Sequence, residues 1–317
     1  MVKKTHLFNH LYLLVDCVLK DIIMYKNYHN MLKLNTAHTD KEEQTMSVSK
    51  QPTPKSISDI KLKCHSYTNI PQQGEYENYI TGCTVFPDLK MVFADFDKGR
   101  LVILTVDGEI NNEISCCDPI SGPYDVTRID DRTVAVTTDS GIKIINIESK
   151  QTERTIKTTG KCYGITHHEG ASLWCEVSTG IQMLQLTDQS VTTAVKQDTL
   201  GYWAYITTYG DYIYQTEMGK DTVTCFTTKG DKLWEYKDNS VIRHPTGVAV
   251  DNNHNIYITS SNTNSIVLLS PDGKQGRKLH EDWLQQPFAI HYDVQNNKLL
   301  VCNCDGHGFL YDILKTV

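Results

Sequence analysis

Two short runs in this chain hold residue types that bind metals or move protons. His167-His168-Glu169 contains an H-x-E, half of the signature by which zinc deaminases pair a metal-bound water with a general acid–base. The P-C-x-x-C half is missing, so the run reads as a solvated turn. Cys302-Asn303-Cys304-Asp305 brings two thiols and a carboxylate within four positions. No second cluster nearby completes the four ligands of a zinc site, and a β-turn with buried or half-buried thiols is the plainer reading. The chain has no G-x-G-x-x-G, no G-x-x-x-x-G-K-[ST], no G-x-S-x-G and no H-E-x-x-H. No catalytic residue, metal ligand or cofactor is assigned.

The ten cysteines include the neighbours Cys116 and Cys117, but none forms a C-x-x-C. Most sit inside apolar runs and behave as small hydrophobes. Without N-x-[ST] sequons or long-range pairing signals, reduced thiols in a cytoplasmic setting are expected. Net charge is −7, with +3 from residues 1–55 (8 Lys against 5 Asp/Glu), which leaves −10 for the remainder. Phosphate-backbone binding relies on many Lys and Arg contacts. Charge therefore favours a protein partner, keeps RNA as an alternative and argues against DNA.

The elements that would position any site follow from a repeat. Six segments begin alike: Gly82-Cys-Thr-Val85, Pro123-Tyr-Asp-Val126, Cys162-Tyr-Gly-Ile165, Trp203-Ala-Tyr-Ile206, Pro245-Thr-Gly-Val248 and Pro287-Phe-Ala-Ile290. Their closing β-branched residues are 41, 39, 41, 42 and 42 apart. A period near 40, with short strands and turn signals such as Asp107-Gly108, Lys229-Gly230-Asp231 and Pro271-Asp272-Gly273, describes propeller blades of four strands. No stretch after residue 57 holds a helical period for three turns. The sixth unit ends before its fourth strand, and residues 57–66 are a spare strand ahead of unit one. The expected fold is an all-β six-bladed β-propeller over residues 57–317, with strand 57–66 closing the last blade against 309–314.

Residues 1–56 read as an extension. Leu7, Leu11, Leu14, Val18, Ile22 and Tyr25 carry a helical spacing, and Asp16, Lys20 and Asp21 spoil a membrane span. Residues 36–57 are polar and read as a linker.

Residues 244–274, HPTGVAVDNNHNIYITSSNTNSIVLLSPDGK, resemble an NHL repeat, and 93–104 are a looser match. The chain thus resembles, over about 57–317, the C-terminal NHL-type propeller of tripartite-motif (TRIM) proteins. That resemblance implies partner recognition in the ubiquitin pathway, or binding of single-stranded RNA. The zinc RING and B-boxes of TRIM ubiquitin ligases need Cys/His clusters, and residues 1–56 hold only Cys17 with four histidines. Ligase activity is not carried over.

Within the repeat, Tyr124, Tyr163 and Phe288 share one position and Trp203 lies one residue away. Arg100 and Arg243 fall on neighbouring loops. These six residues are expected to form an aromatic collar with basic neighbours at the mouth where first strands begin. Aromatics with arginine suit a protein hot spot and also stack RNA bases; packing between blades is the plain alternative. A calcium-dependent lactonase or esterase is the third reading. The twelve positions flanking the six anchors offer one carboxylate, Asp125, which is too little charge for a tightly held dication. The expected function is a non-catalytic protein-binding scaffold.

Overall fold

The computed structural model describes residues 57–315, apart from 73–76, 120, 186 and 280–282. The expectations for residues 1–56 fall outside the described residues. The first strand, β1, is Ile60–Asn69. Blade one is β2 (Ile80–Val85), β3 (Met91–Asp95), β4 (Arg100–Leu104) and β5 (Ile110–Ser115). Blade two is β6 (Asp125–Arg128), β7 (Thr133–Thr138), β8 (Gly141–Asn146) and β9 (Gln151–Ile156). Blade three is β10 (Cys162–His168), β11 (Ala171–Glu176), β12 (Gly180–Gln185) and β13 (Val191–Lys196). Blade four is β14 (Ala204–Tyr209), β15 (Tyr212–Glu217), β16 (Thr222–Thr227) and β17 (Lys232–Tyr236). Blade five is β18 (Pro245–Val250), β19 (Ile256–Ser260), β20 (Ser265–Leu269) and β21 (Gly276–Leu279). Blade six is β22 (Pro287–Asp293), β23 (Lys298–Asn303) and β24 (His307–Lys315).

The six sheets have four antiparallel strands each, and the sixth takes β1 as its outer strand in the order β1-β24-β23-β22. Ile60 pairs with Lys315 and Asn69 with His307. The closing strand therefore begins and ends three residues later than 57–66, and Ile57 lies in the turn before it. One outer-strand residue slips the register between Cys64 and Ser66.

Burial falls from the inner strands to the outer ones. All of β2 and β3 is buried, whereas β1 alternates between exposed side chains and ones that are half-buried or, at Ile60 and Thr68, buried. Strands such as Ile256–Ser260 (IYITS) and Ser265–Leu269 (SIVLL) suit this packing because β-branched and aromatic side chains fill a pleated, buried surface. Successive side chains of one strand point to opposite faces. Val92 and Ala94 thus pack toward blade two, while Met91 and Phe93 pack toward blade six. The apolar interior is accordingly divided into six separate seams, one between each pair of adjacent blades.

Around the axis the inner strands approach too closely for some side chains. A Cβ on Gly164 would lie 2.4 Å from Tyr205 Cα, and one on Gly82 would lie 2.7 Å from Asp125 Cα. Gly164, just before the anchor Ile165, and Gly82, at the start of the blade-one motif, are thus set by backbone proximity to the next blade. Threonines near the ends of second strands add a hydrogen bond across the same gap. Thr137 Oγ1 donates to Tyr163 O at 2.6 Å, Thr216 Oγ1 to Thr246 O at 2.5 Å, and Thr259 Oγ1 to Phe288 O at 2.9 Å.

Candidate functional site

The loops that join the outer strand of one blade to the inner strand of the next all emerge on the face where inner strands begin. Each second strand ends on a buried polar residue at the same register: Asp95, Thr138, Glu176, Glu217, Ser260 and Asn303. Most of these side chains tether the loop that arrives beside them. Glu176 accepts the N–H groups of Thr159 and Gly160, at 3.1 and 2.8 Å. Glu217 pairs with Lys220, whose Nζ lies 2.8 Å from Oε1 and also donates to Thr199 O, on the loop that delivers Trp203, at 3.5 Å. Ser260 Oγ accepts from Arg243 N at 3.0 Å and donates to Arg243 O at 2.7 Å. Asn303 accepts from Gln285 N at 3.2 Å and donates to Trp283 O at 3.2 Å. A buried polar side chain without a partner costs about 1–3 kcal/mol, so these residues belong where loop backbone groups also need partners.

Where these loops enter the inner strands, the structure brings four of the expected residues together. The Trp203 ring lies 5.0 Å from Tyr163, 5.5 Å from Phe288 and 5.7 Å from Tyr124. Tyr79 and Phe96, which the repeat position did not single out, complete the cluster at 6.4 and 6.0 Å from Trp203. Trp203 adopts φ +56°, a left-handed conformation that turns its indole inward to rings of blades one, two, three and six. The cluster is a seal across the channel mouth rather than an open collar. Tyr124, Tyr163 and Phe288 are buried, and Trp203 is half-buried. Burial holds the phenols of Tyr124 and Tyr163 well above the ordinary tyrosine range.

Arg100 is a correction. It is buried, with Nε 2.9 Å from Asp95 Oδ2 and Nη1 2.9 Å from Glu113 Oε2. It joins strands of blade one and is not offered to a ligand. Arg243 is exposed on the same face as the seal. Two exposed aromatics lie on equivalent loops: Tyr202, 47% exposed, and Trp283, 49% exposed. Trp283 was missed because it precedes the recurring first-strand motif. Its position on an inter-blade loop was the available signal.

Below the seal the channel opens toward the other face as a cavity of about 630 Å³. Thr127, Thr166, Thr207, Arg128, His291 and Asp293 are among its lining residues. Asp125 also lines it, accepting the N–H of Val126 at 2.8 Å and of Ile165 at 2.9 Å. Burial outweighs those two donors and pushes its carboxyl up to about 8. His291, half-buried, also borders the channel, and burial pushes its imidazole down to about 4. Glu169 and Asp293 join Asp125 among the lining residues, so the flanking-position count of one carboxylate was too low. No group of three or more His, Cys, Asp or Glu residues poised for a metal occurs among the described residues.

No protein-family model matches the chain, and no curated protein sequence does. Solved structures do. A structural-genomics protein of unknown function from Bacteroides thetaiotaomicron superposes with a TM-score of 0.64 at 14% identity, over 80% of this chain and 76% of that one. Virginiamycin B lyase from Staphylococcus aureus gives 0.56 at 19% identity, over 81% and 90%. The β-propeller domain of Cps50 (Swd1) from Myceliophteria thermophila gives 0.56 at 8% identity, over 80% and 100%. At these identities the likeness is one of fold: the chain is a six-bladed β-propeller.

Proposed function

We propose that the chain is a non-catalytic binding module that docks a protein partner on the face where inner strands begin. One observation carries this reading: that face combines a sealed channel with exposed Tyr202, Trp283 and Arg243 on loops held by Lys220 paired to buried Glu217, by Asn303 and by Ser260. Tyr, Trp and Arg are the side chains that dominate protein hot spots, and rigid loops reduce the ordering cost of binding. The buried aromatics serve as a floor that holds this surface flat. The finer reading, TRIM-like partner recognition in the ubiquitin pathway, is supported by the NHL-like residues 244–274. A reduced, cytoplasmic setting is supported by the placement of most cysteines inside apolar runs and the lack of N-x-[ST] sequons.

The test is a pull-down in which captured proteins and cross-linked RNA are both quantified, using wild type and a Tyr202→Ala/Trp283→Ala/Arg243→Ala variant. Loss of a specific protein in the variant, with unchanged melting, supports the reading. RNA capture that falls steeply between low and physiological salt would replace it with single-stranded RNA binding.

A further inference from the structure

The β5–β6 connection carries Cys116 and Cys117, whose sulfurs lie 3.9 Å apart. Cys116 is buried, and Cys117 is partly exposed. Cys117 opens onto a crevice between blades one and two that Asp139, Ser140 and Lys143 also line. The backbone around the pair is fixed. Both cysteine N–H groups donate to Gly99 O, at 2.9 and 3.1 Å, and Lys143 Nζ donates to Cys116 O at 2.5 Å. The two thiols differ in access, as an attacking and a resolving thiol must: Cys117 reaches the crevice and Cys116 is buried. The hydrogen bond from Cys116 and the nearby Lys143 ammonium hold the Cys117 thiol below the ordinary range, against burial and the carboxylates of Asp118 and Asp139. The same hydrogen bond and burial push the Cys116 thiol far up.

We propose that Cys116 and Cys117 are a hydroperoxide-responsive thiol pair that interconverts between the dithiol and a vicinal disulfide. The Cys117 thiolate attacks one oxygen of the hydroperoxide. The O–O bond breaks, the attacked hydroxyl stays on sulfur as a sulfenic acid, and the other oxygen takes up a proton, matching the one Cys117 released on ionising, and leaves as an alcohol or, from hydrogen peroxide, as water. The Cys116 sulfur then displaces the hydroxyl from Cys117, and that hydroxyl leaves with the Cys116 proton as a second water. Two thiols have been oxidised and one peroxide reduced. Adjacent Cα atoms are ~3.8 Å apart, closer than the ~4.4–6.8 Å that disulfides usually span. The ring is therefore strained, and low-molecular-weight thiols reduce it readily.

Trypsin releases residues 101–128 as one peptide with Cys116 and Cys117 as its two cysteines, which makes the test direct. The full chain is treated with hydrogen peroxide, denatured, alkylated with a maleimide, digested and mapped by mass. The expected peptide is lighter by two hydrogens than the dithiol form and carries no alkyl group. Glutathione before alkylation restores two. Cys116→Ser should accumulate a sulfenic acid on Cys117, trapped by a dimedone-type reagent. Cys117→Ser should leave Cys116 at least tenfold less reactive than Cys117 is in Cys116→Ser. The proposal is overturned if the wild-type peptide stays doubly alkylated when Cys64 or Cys304 has already been oxidised. It is equally overturned if Cys116→Ser yields no sulfenic acid, or if Cys116 reacts as fast without Cys117 as Cys117 does without Cys116.

Discussion

The indole of Trp203, from blade four, meets the ring of Phe288, from blade six, at 5.5 Å and 84°. These blades are not neighbours, so the contact spans the channel mouth. Edge-to-face aromatic pairs of this kind contribute about 0.5–1.5 kcal/mol beyond their buried area. Trp203→Ala should lower stability by about 3 kcal/mol, measured by chemical denaturation. Tyr202→Ala and Arg243→Ala should stay within about 0.5 kcal/mol of wild type, as exposed side chains do. Equal losses for all three would show that the two inter-blade loops as a whole, and not the indole, close the mouth.

Ring closure gives a second prediction. Deleting residues 1–70 removes β1 and leaves the edge of β24 unpaired, and it also removes Ile57 and Ile60 from the seam of blades five and six. Deleting residues 1–50 leaves β1, Ile57 and Ile60 in place. The first variant should melt well below wild type and aggregate through its open edge; the second should melt as wild type does. Coincident melting curves would refute the role of β1.

Two channel residues give opposite pH signatures. Asp125 has its carboxyl raised to about 8 from an ordinary 3.8. The folded state therefore binds a proton that the unfolded state has released, and this contribution to stability falls as pH rises from about 4 to 8. His291 is lowered to about 4 from 6.5. Here the unfolded state binds the extra proton, so the contribution is present above about 6.5 and is lost as pH falls toward 4. Asp125→Asn should remove the loss of stability on the alkaline side, and His291→Asn the loss on the acid side. Melting temperatures from pH 4 to 8 check both, and a variant whose curve parallels wild type would refute the corresponding assignment.

The channel is expected to bind neither Ca²⁺ nor Zn²⁺ tightly, because both Asp125 oxygens are occupied by backbone N–H groups. Ca²⁺ requires 6–8 oxygens. Elemental analysis of purified protein should give well under one metal per chain, and lactone and ester substrates should not turn over. About one tightly held ion per chain would favour a hydrolase instead.

Much of the fold could be read from the repeat. Spacing alone located the inner strands, since the anchors Val85, Val126, Ile165, Ile206, Val248 and Ile290 all fall in strands that line the axis. Register also placed Tyr124, Tyr163 and Phe288 at one level. It could not reveal that they are buried, because that depends on Trp203 reaching inward from a left-handed backbone position. Arg100 was misplaced for a related reason. Its partners Asp95 and Glu113 stand on either side of it in the sheet, a relation that strand pairing creates and linear proximity to a loop does not. The loop tethers were legible but overlooked. Asp95, Thr138, Glu176, Glu217, Ser260 and Asn303 recur at the repeat period, yet they differ in residue type and share only polarity.

Blade six joins the two ends of the described chain: Ile60 sits opposite Lys315. Of the described strands, β1 emerges first during synthesis and its partner β24 last. At ~5–20 residues per second, the ribosome separates the two by roughly 10–50 s. Over that interval five blades can form in order, but the circle stays open, with one flank of blade one bare and β1 awaiting a partner. Ring closure thus waits for the last described strand, and until then the bare flank and the unpaired edge of β1 are open to other chains.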